Sequence, residues 1–248
     1  MKMIVTSGSR KRKLLIFAFW LIIWQAASMI IRNSIVFVGP AEVLNSLWNL
    51  LPTQEFWLSI ASSFLKISLG FLSAFLMGIL LGCISVRIPV LRELLEPLML
   101  LCKAVPVASF VILALIVIGS GNLSILISFI IVLPVIFTNT LTGLENADPK
   151  LVEMAKVFHM HPWKRIRYIY WPTLSNQLAS GCKVALGMSW KSGIAAEVIG
   201  VPVSSIGEKL YMAKIYLNTA DLFAWTVVIL LLSAFFEWFF LRIFRKIR

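Results

Sequence analysis

Four lysines sit inside long apolar runs of this 248-residue sequence: Lys66, Lys103, Lys183 and Lys191. A lysine at the centre of a lipid bilayer costs about 2.5–3.5 kcal/mol on insertion scales, so each needs a physical reason. Long side chains near the end of a membrane helix snorkel to the interface, which suits Lys191 and Lys66. Lys103 and Lys183 lie about ten residues in from the ends of their runs, close to mid-membrane at ~1.5 Å per residue. A cation there either faces a polar pathway or serves an interhelical structural role. The stretch Ser189-Trp190-Lys191-Ser192-Gly193-Ile194-Ala195-Ala196-Glu197 adds small and polar residues with one cation and one anion. Small residues let helices approach closely, and polar ones mark a cavity or gate. Lys103, Lys183, Trp190, Lys191 and Glu197 are therefore the candidates for the wall of a translocation path.

Covalent and metal chemistry have no comparable support. Cys83, Cys102 and Cys182 all lie in apolar stretches without CxxC spacing, as small buried hydrophobes do. His159 and His161 are two apart and would face apart on one helix. No Ser/His, paired-Asp or HExxH constellation is present, and no Gly-x-x-x-x-Gly-Lys-[Ser/Thr] phosphate loop. The expectation is a chain that is not an enzyme, holds no metal or cofactor and does not itself bind ATP.

The elements that position these residues are set by composition. The chain is 60% hydrophobic with charge on 14% of its residues, against roughly 25% charged in soluble domains. Six apolar runs approach the ~20 residues that span a bilayer: Leu14 to Ile31, Trp57 to about Val86, about Leu94 to Ile118, Asn122 to Leu144, from after Pro172 to about Gly200, and Leu222 to Leu241. The class is all-α, a polytopic membrane protein with six transmembrane helices. The basic residues behind the net charge of +12 sit in short segments between these runs, which argues against nucleic acid. A basic N-terminus, residues 1–13, precedes a single membrane domain, residues 14–248. The tetrad Arg10-Lys11-Arg12-Lys13 before an apolar run also has the form of a signal peptide, but an uncleaved first helix is the simpler account.

Lysine and arginine placement orients the chain. Sixteen of those between the runs or at the termini fall on one side and three (Arg32, Lys209, Lys214) on the other. Positive residues stay cytoplasmic, so both termini face inward. Two outer segments are longer than turns: Phe37 to Leu51, with the spacing of a short amphipathic helix on the membrane surface, and Val201 to Asp221. Gly78 and Gly82 form a GxxxG pair on the second run, a sign of close helix packing.

The long basic connection, residues 145–172, falls on the cytoplasmic side. Asp148 before Pro149 is a strong helix start. Leu151, Ala155 and Phe158 follow on one face, Pro162 closes the helix, and Trp163 to Tyr170 forms a second amphipathic segment. Two readings are open: a basic interfacial element on anionic lipid, or a rigid lever gripped by a cytoplasmic partner.

Glu153-Met154-Ala155, then His159, then Ile169-Tyr170-Trp171-Pro172 resembles the EAA loop of ABC-importer permeases: Glu-Ala-Ala, three residues, Gly, nine residues, Ile, any residue, Leu, Pro. Glu153, Ala155, Ile169 and Pro172 keep the spacing; Met154, His159 and Trp171 depart from it. Histidine is among the non-glycine residues that tolerate positive φ at such a turn. Val-Gly-Pro-Ala-Glu-Val at 38–43, Lys103-Ala-Val-Pro106, Gly143 through Asp148 and Trp190 through Glu197 resemble the branch serving nitrate, sulfonate, taurine and thiamine-precursor uptake. The resemblance covers most of the chain and implies a type I importer permease core in a bacterial inner membrane. It implies coupling to cytoplasmic ATP-binding subunits, which carry ATP and Mg, through Glu153, Met154, Ala155, Phe158, His159 and Pro172. It also implies pairing with a second permease copy, as a homodimer, and an extracytoplasmic substrate-binding protein. The alternative from another class is a self-contained secondary transporter or channel, for which only Glu96, Glu197 and Glu237 could serve as coupling carboxylates, all near run ends.

Overall fold

The computed structural model describes residues 7–247. Lys2, with the rest of residues 1–6 of the expected cytoplasmic N-terminus, and Arg248 lie outside the described residues, as do the side chains of 7–11, 13 and 247. The described residues are helical, in the order α1 Ser7–Ile31, α2 Pro40–Leu50, α3 Gln54–Arg87, α4 Pro89–Ala104, α5 Val107–Ile118, α6 Leu123–Glu145, α7 Pro149–Val157, α8 Pro162–Arg165, α9 Trp171–Gly200, α10 Ile206–Ile215 and α11 Thr219–Ile247, with a π-helical turn at Ile166–Tyr170 between α8 and α9. Four of these are long and apolar enough to cross a membrane: α1, from Leu14, together with α3, α6 and α11. A fifth is added if α4 and α5 count as one span.

That pair corrects the expectation of a continuous third span from Leu94 to Ile118. The helix stops at Val105, which is extended at φ −73° and ψ 132°, and restarts after Pro106 with a bend of 104°. The residue before a proline is driven out of the α region, and the proline has no N–H to extend the ladder. Hydropathy is blind to this break because both sides of it are apolar.

The chain packs as two compact units, 7–57 with 209–228, and 58–208 with 229–247; α3, α10 and α11 contribute residues to both. In the first unit, the amphipathic segment expected at the surface is α2. Its Val43 joins Val38 and Ala224 in a small core with Trp24, Leu47 and Phe223 around it. The Trp24 indole donates to Val38 O at 2.9 Å, and Ser46 Oγ donates to Asp221 Oδ1 at 2.6 Å. Only 6% of the α1 span is buried, so its apolar surface needs lipid or protein around it.

The second unit is built on α3, α6 and α9. A Cβ placed on Gly78 would sit 2.9 Å from the Ile136 side chain, and one on Gly82 2.7 Å from Thr140. The GxxxG pair is therefore a packing groove of α3 for α6, as small residues are in membrane helices. On another side of α3, Phe71 and Phe75 meet Phe236, Phe240 and Phe244 of α11, with Phe71–Phe240 centroids 4.9 Å apart. All four of these pairs are edge-to-face, the geometry the ring quadrupole favours.

Candidate functional site

The loop between α6 and α9 is capped and hydrogen-bonded at both ends of α7. Asp148 Oδ1 accepts from the Lys150 N–H at 2.9 Å and Pro149 takes the first helical position of α7, so a bare donor at this helix start is satisfied. At the other end, Met160 N–H donates to Ala155 O at 2.9 Å and His159 N–H to Lys156 O at 3.0 Å. This pair of bonds is a Schellman turn, which needs a left-handed residue at its corner. His159 supplies it at φ +48°. The turn that glycine makes in the permease pattern is thus present with histidine in its place. Arg165 Nε then donates to Met160 O at 2.9 Å and locks the turn to α8.

α8, the π-helical turn and α9 run on from Pro162 to Gly200 without leaving helical backbone. The fifth helical run therefore begins at Pro162, ahead of the expected start after Pro172. Pro172 has no N–H and its ring would strike the carbonyl four residues back. The ladder widens just ahead of it, with Trp171 N–H reaching Ile166 O, a single-turn π bulge of the kind that absorbs such a misfit.

Burial divides the residues expected to couple. Glu153, His159 and Pro172 are exposed, as are Met154 at 44% and Phe158 at 76%. Ala155 is fully buried and packs with Ala147 and Ile169, flanked by Val152, Met160 and Tyr170. Leu151, Ala155 and Phe158 do not act as one inward face: Ala155 turns in, while Leu151 and the capping residue Phe158 face out. The loop thus has its own small core and an outer surface of Glu153, Met154, Val157 and Phe158. An ion pair missed in the sequence ties its base to α4. Arg92 donates through Nε to Glu96 Oε1 at 2.7 Å and through Nη1 to Glu145, the last residue of α6. The i,i+4 pair was readable from spacing; the partner 53 residues away was not.

The five path candidates are not gathered into one cavity. Lys103 donates to Thr138 Oγ1 at 2.9 Å and so links α4 to α6. Lys183 is exposed and lines a cleft beside α11. Lys191 is exposed on the outer face of α9. Trp190 is buried against Phe64 and Phe236, its indole N–H unpaired among the described residues. Glu197 is fully buried, its Oε2 accepting from Ser63 Oγ at 2.6 Å and from the Gly207 N–H at 3.2 Å. Ser63 Oγ in turn accepts from the Ile206 N–H at 2.9 Å. Glu197 therefore caps the N-terminus of α10, where bare N–H groups and the helix dipole favour a carboxylate.

One face of α9 remains outward and carries only small or polar residues: Ser180, Lys183, Gly187, Lys191 and Ala195 are all exposed, three or four residues apart. Apolar helices long enough to cross a bilayer, one helix face bearing lysines left outward beside them, and a capped helical loop at one end are the parts of a membrane transport component. The chain belongs to the family of binding-protein-dependent transport system inner membrane components, which it matches over residues 74–248. It is 25% identical over 199 residues to the taurine transport system permease protein of Escherichia coli (strain K12), covering 75% of this chain and 72% of that one. It is 24% identical over 218 residues to a putative aliphatic sulfonates transport permease protein of Bacillus subtilis (strain 168), covering 87% and 78%. The nitrate import permease protein of Synechococcus elongatus is 26% identical over 191 residues, covering 73% and 68%. Among solved structures, the crystal structure of an amino acid ABC transporter with histidines superposes with a TM-score of 0.51 at 19% identity, covering 77% of this chain and 90% of that one. That likeness establishes the ABC permease fold. The chain is a non-catalytic, multi-pass inner-membrane permease subunit of an ABC importer, with no cofactor of its own. It works with ATPase and binding-protein partners, and the self-contained transporter or channel gives way to this family membership.

Proposed function

We propose that the subunit imports a small oxyanion-bearing solute of the sulfonate, taurine or nitrate type. In this reading it pairs with a second copy of itself, and α9 of each copy lines the path. The observation that carries the reading is the outward polar face of α9. Lipid offers no partners to Ser180 or Lys191, so water or a second protein surface must cover them. The relatives' names cover taurine, aliphatic sulfonates, nitrate and bicarbonate, solutes that share an oxyanion group, and a lysine on the path complements that charge. Trp190 and Glu197 back this wall from within, and Lys103 fastens α4 behind it. Lys183 stands at the edge of the face, towards α11.

Six crossings with both termini cytoplasmic complete the reading, with residues 14–248 acting as one permease domain. α9 spans 30 residues, about 45 Å at 1.5 Å per residue. It is long enough to cross, and polar because it lines a path. The excess of basic residues on one side supports the orientation. Glu153, Met154, Phe158 and His159 then form the contact with the ATP-binding subunit, while Ala155 and Pro172 hold its shape. The test is uptake by the complete transporter in vesicles. Labelled taurine, an alkyl sulfonate and nitrate are offered in turn, and Lys191→Gln is expected to slow uptake of the accepted solute at least about tenfold. A transporter that prefers a cation, or is indifferent to Lys191, removes the anion reading.

A further inference from the structure

α9 and α11 frame a cleft lined by Lys183 from the first and by Glu237, Trp238, Leu241, Arg242 and Arg245 from the second. Three cations face one carboxylate there, and no ion pair closes within 4 Å among the described residues. Lys183 and Arg245 have no hydrogen-bond partner among those residues, and the Arg242 guanidinium lies 5.0 Å from the centroid of the Trp238 ring. Three exposed cations beside one carboxylate leave an excess of positive charge that attracts an anionic group at a membrane surface. The surroundings indicate where it comes from. The same stretch of α11 exposes Phe235, Trp238, Phe239 and Ile243, an apolar surface suited to acyl chains. An arginine stacked on an exposed tryptophan is the arrangement found at head-group level. Guanidinium forks also match the paired oxygens of a phosphate.

We propose that Lys183, Arg242 and Arg245 form a binding site for the phosphate of an acidic phospholipid whose chains lie along α11. The choice of leaflet rests on the cytoplasmic placement of the C-terminus proposed above, because acidic lipid attracts basic groups at that surface. A free oxyanion shares the phosphate chemistry but would leave the exposed aromatic wall of α11 without a role.

The test is native mass spectrometry of the full chain purified with its ATPase subunit. It is titrated with phosphatidylglycerol, with phosphatidylcholine and, separately, with inorganic phosphate. Phosphatidylglycerol should bind at least about tenfold more tightly than phosphatidylcholine. The triple variant K183Q/R242Q/R245Q should lose about a hundredfold, at roughly fivefold per removed charge. R242K/R245K keeps the charges but not the guanidinium forks and should bind between the parent and the triple variant, which separates loss of the site from loss of the fold. K150Q/K156Q/K164Q, which removes three cations from the loop instead, should bind as the parent does. Equal affinity for the two lipids, or full binding by the triple variant, would overturn the proposal. So would saturable displacement of lipid by inorganic phosphate, which would make the cleft a free-anion site. Labelling of K246C from one side of sealed vesicles reports the orientation independently, since the mass measurement does not depend on the leaflet.

Discussion

Ser63 Oγ donates a 2.6 Å hydrogen bond to Glu197 Oε2 and at the same time accepts from the Ile206 N–H. One hydroxyl thereby joins α3, the end of α9 and the start of α10. Gly207 completes the joint: a Cβ on it would strike Glu197 itself, so α10 begins in direct contact with the carboxylate it depends on. Glu197→Ala would strand the Ser63 hydroxyl and the Gly207 N–H in a buried site, and we expect a loss of about 2–4 kcal/mol. Glu197→Gln still offers an acceptor and should lose roughly half as much. Thermal unfolding of the purified subunit in detergent reads the difference, and a double-mutant cycle with Ser63→Ala should return a coupling of about 1–2 kcal/mol. Additive single effects would mean that the two side chains do not act together.

His159 holds φ +48° at the corner of the loop turn, where a left-handed residue with a Cβ costs roughly 1–2 kcal/mol. His159→Gly is therefore expected to stabilise the loop by up to about 1 kcal/mol without reducing uptake. His159→Val, branched at Cβ, should weaken the turn and release the Arg165 clamp with it. Hydrogen exchange at Met160 and His159, whose amides close the turn, distinguishes the two variants: slower in the glycine form, faster in the valine form.

Phe158 is 76% exposed while Ala155, three residues earlier, is fully buried. The two should fail differently. If this surface meets the ATPase as proposed, Phe158→Ala removes a large apolar contact from that interface and leaves α7 folded, and central aromatic anchors of interfaces are worth about 2 kcal/mol or more. Uptake should fall more than about tenfold, with normal amounts of subunit in the membrane. Glu153→Lys should do the same by charge reversal, leaving ATP hydrolysis running without transport. Ala155→Leu overfills the small core instead, at about 1–3 kcal/mol, and should reduce the folded amount. Full uptake by Phe158→Ala and Glu153→Lys would remove this surface as the coupling contact.

The loop was legible because its signals are local. Asp148-Pro149 and the spacing from Glu153 to Pro172 depend on neighbours a few residues away, and the structure builds the cap and the turn they imply. The apolar runs were legible for the same reason, at least as apolar runs. Proline decided what hydropathy could not. Pro106 splits one run into α4 and α5, whereas Pro172 is absorbed by a π turn in a helix that continues. The residue type is the same, and the local backbone, broken before Pro106 and widened before Pro172, separates the two outcomes. Glu197 was a candidate for the path wall because it ends a stretch of small and polar residues, which mark a cavity or gate. Its partners, Ser63 and the α10 amides, are placed by the tertiary packing of α3 and α10, which no spacing along the chain encodes.

Gly187 and Gly78 separate an open helix face from one that holds the bundle. A Cβ on Gly187 meets nothing within 4 Å, whereas one on Gly78 sits 2.9 Å from Ile136. Gly78→Leu should therefore press α3 and α6 apart and cost about 1–3 kcal/mol, visible as a lower unfolding temperature and less folded protein. Gly187→Ala should leave the fold untouched. Gly187→Trp should leave the single subunit folded too, yet place an indole beside Lys191 on the polar face of α9. If that face lines the path between two copies, uptake stops while ATP hydrolysis and assembly with the partner subunits persist. If instead the tryptophan variant transports at the parental rate, the face is covered by lipid or by a static contact, and the path has to be sought on another helix.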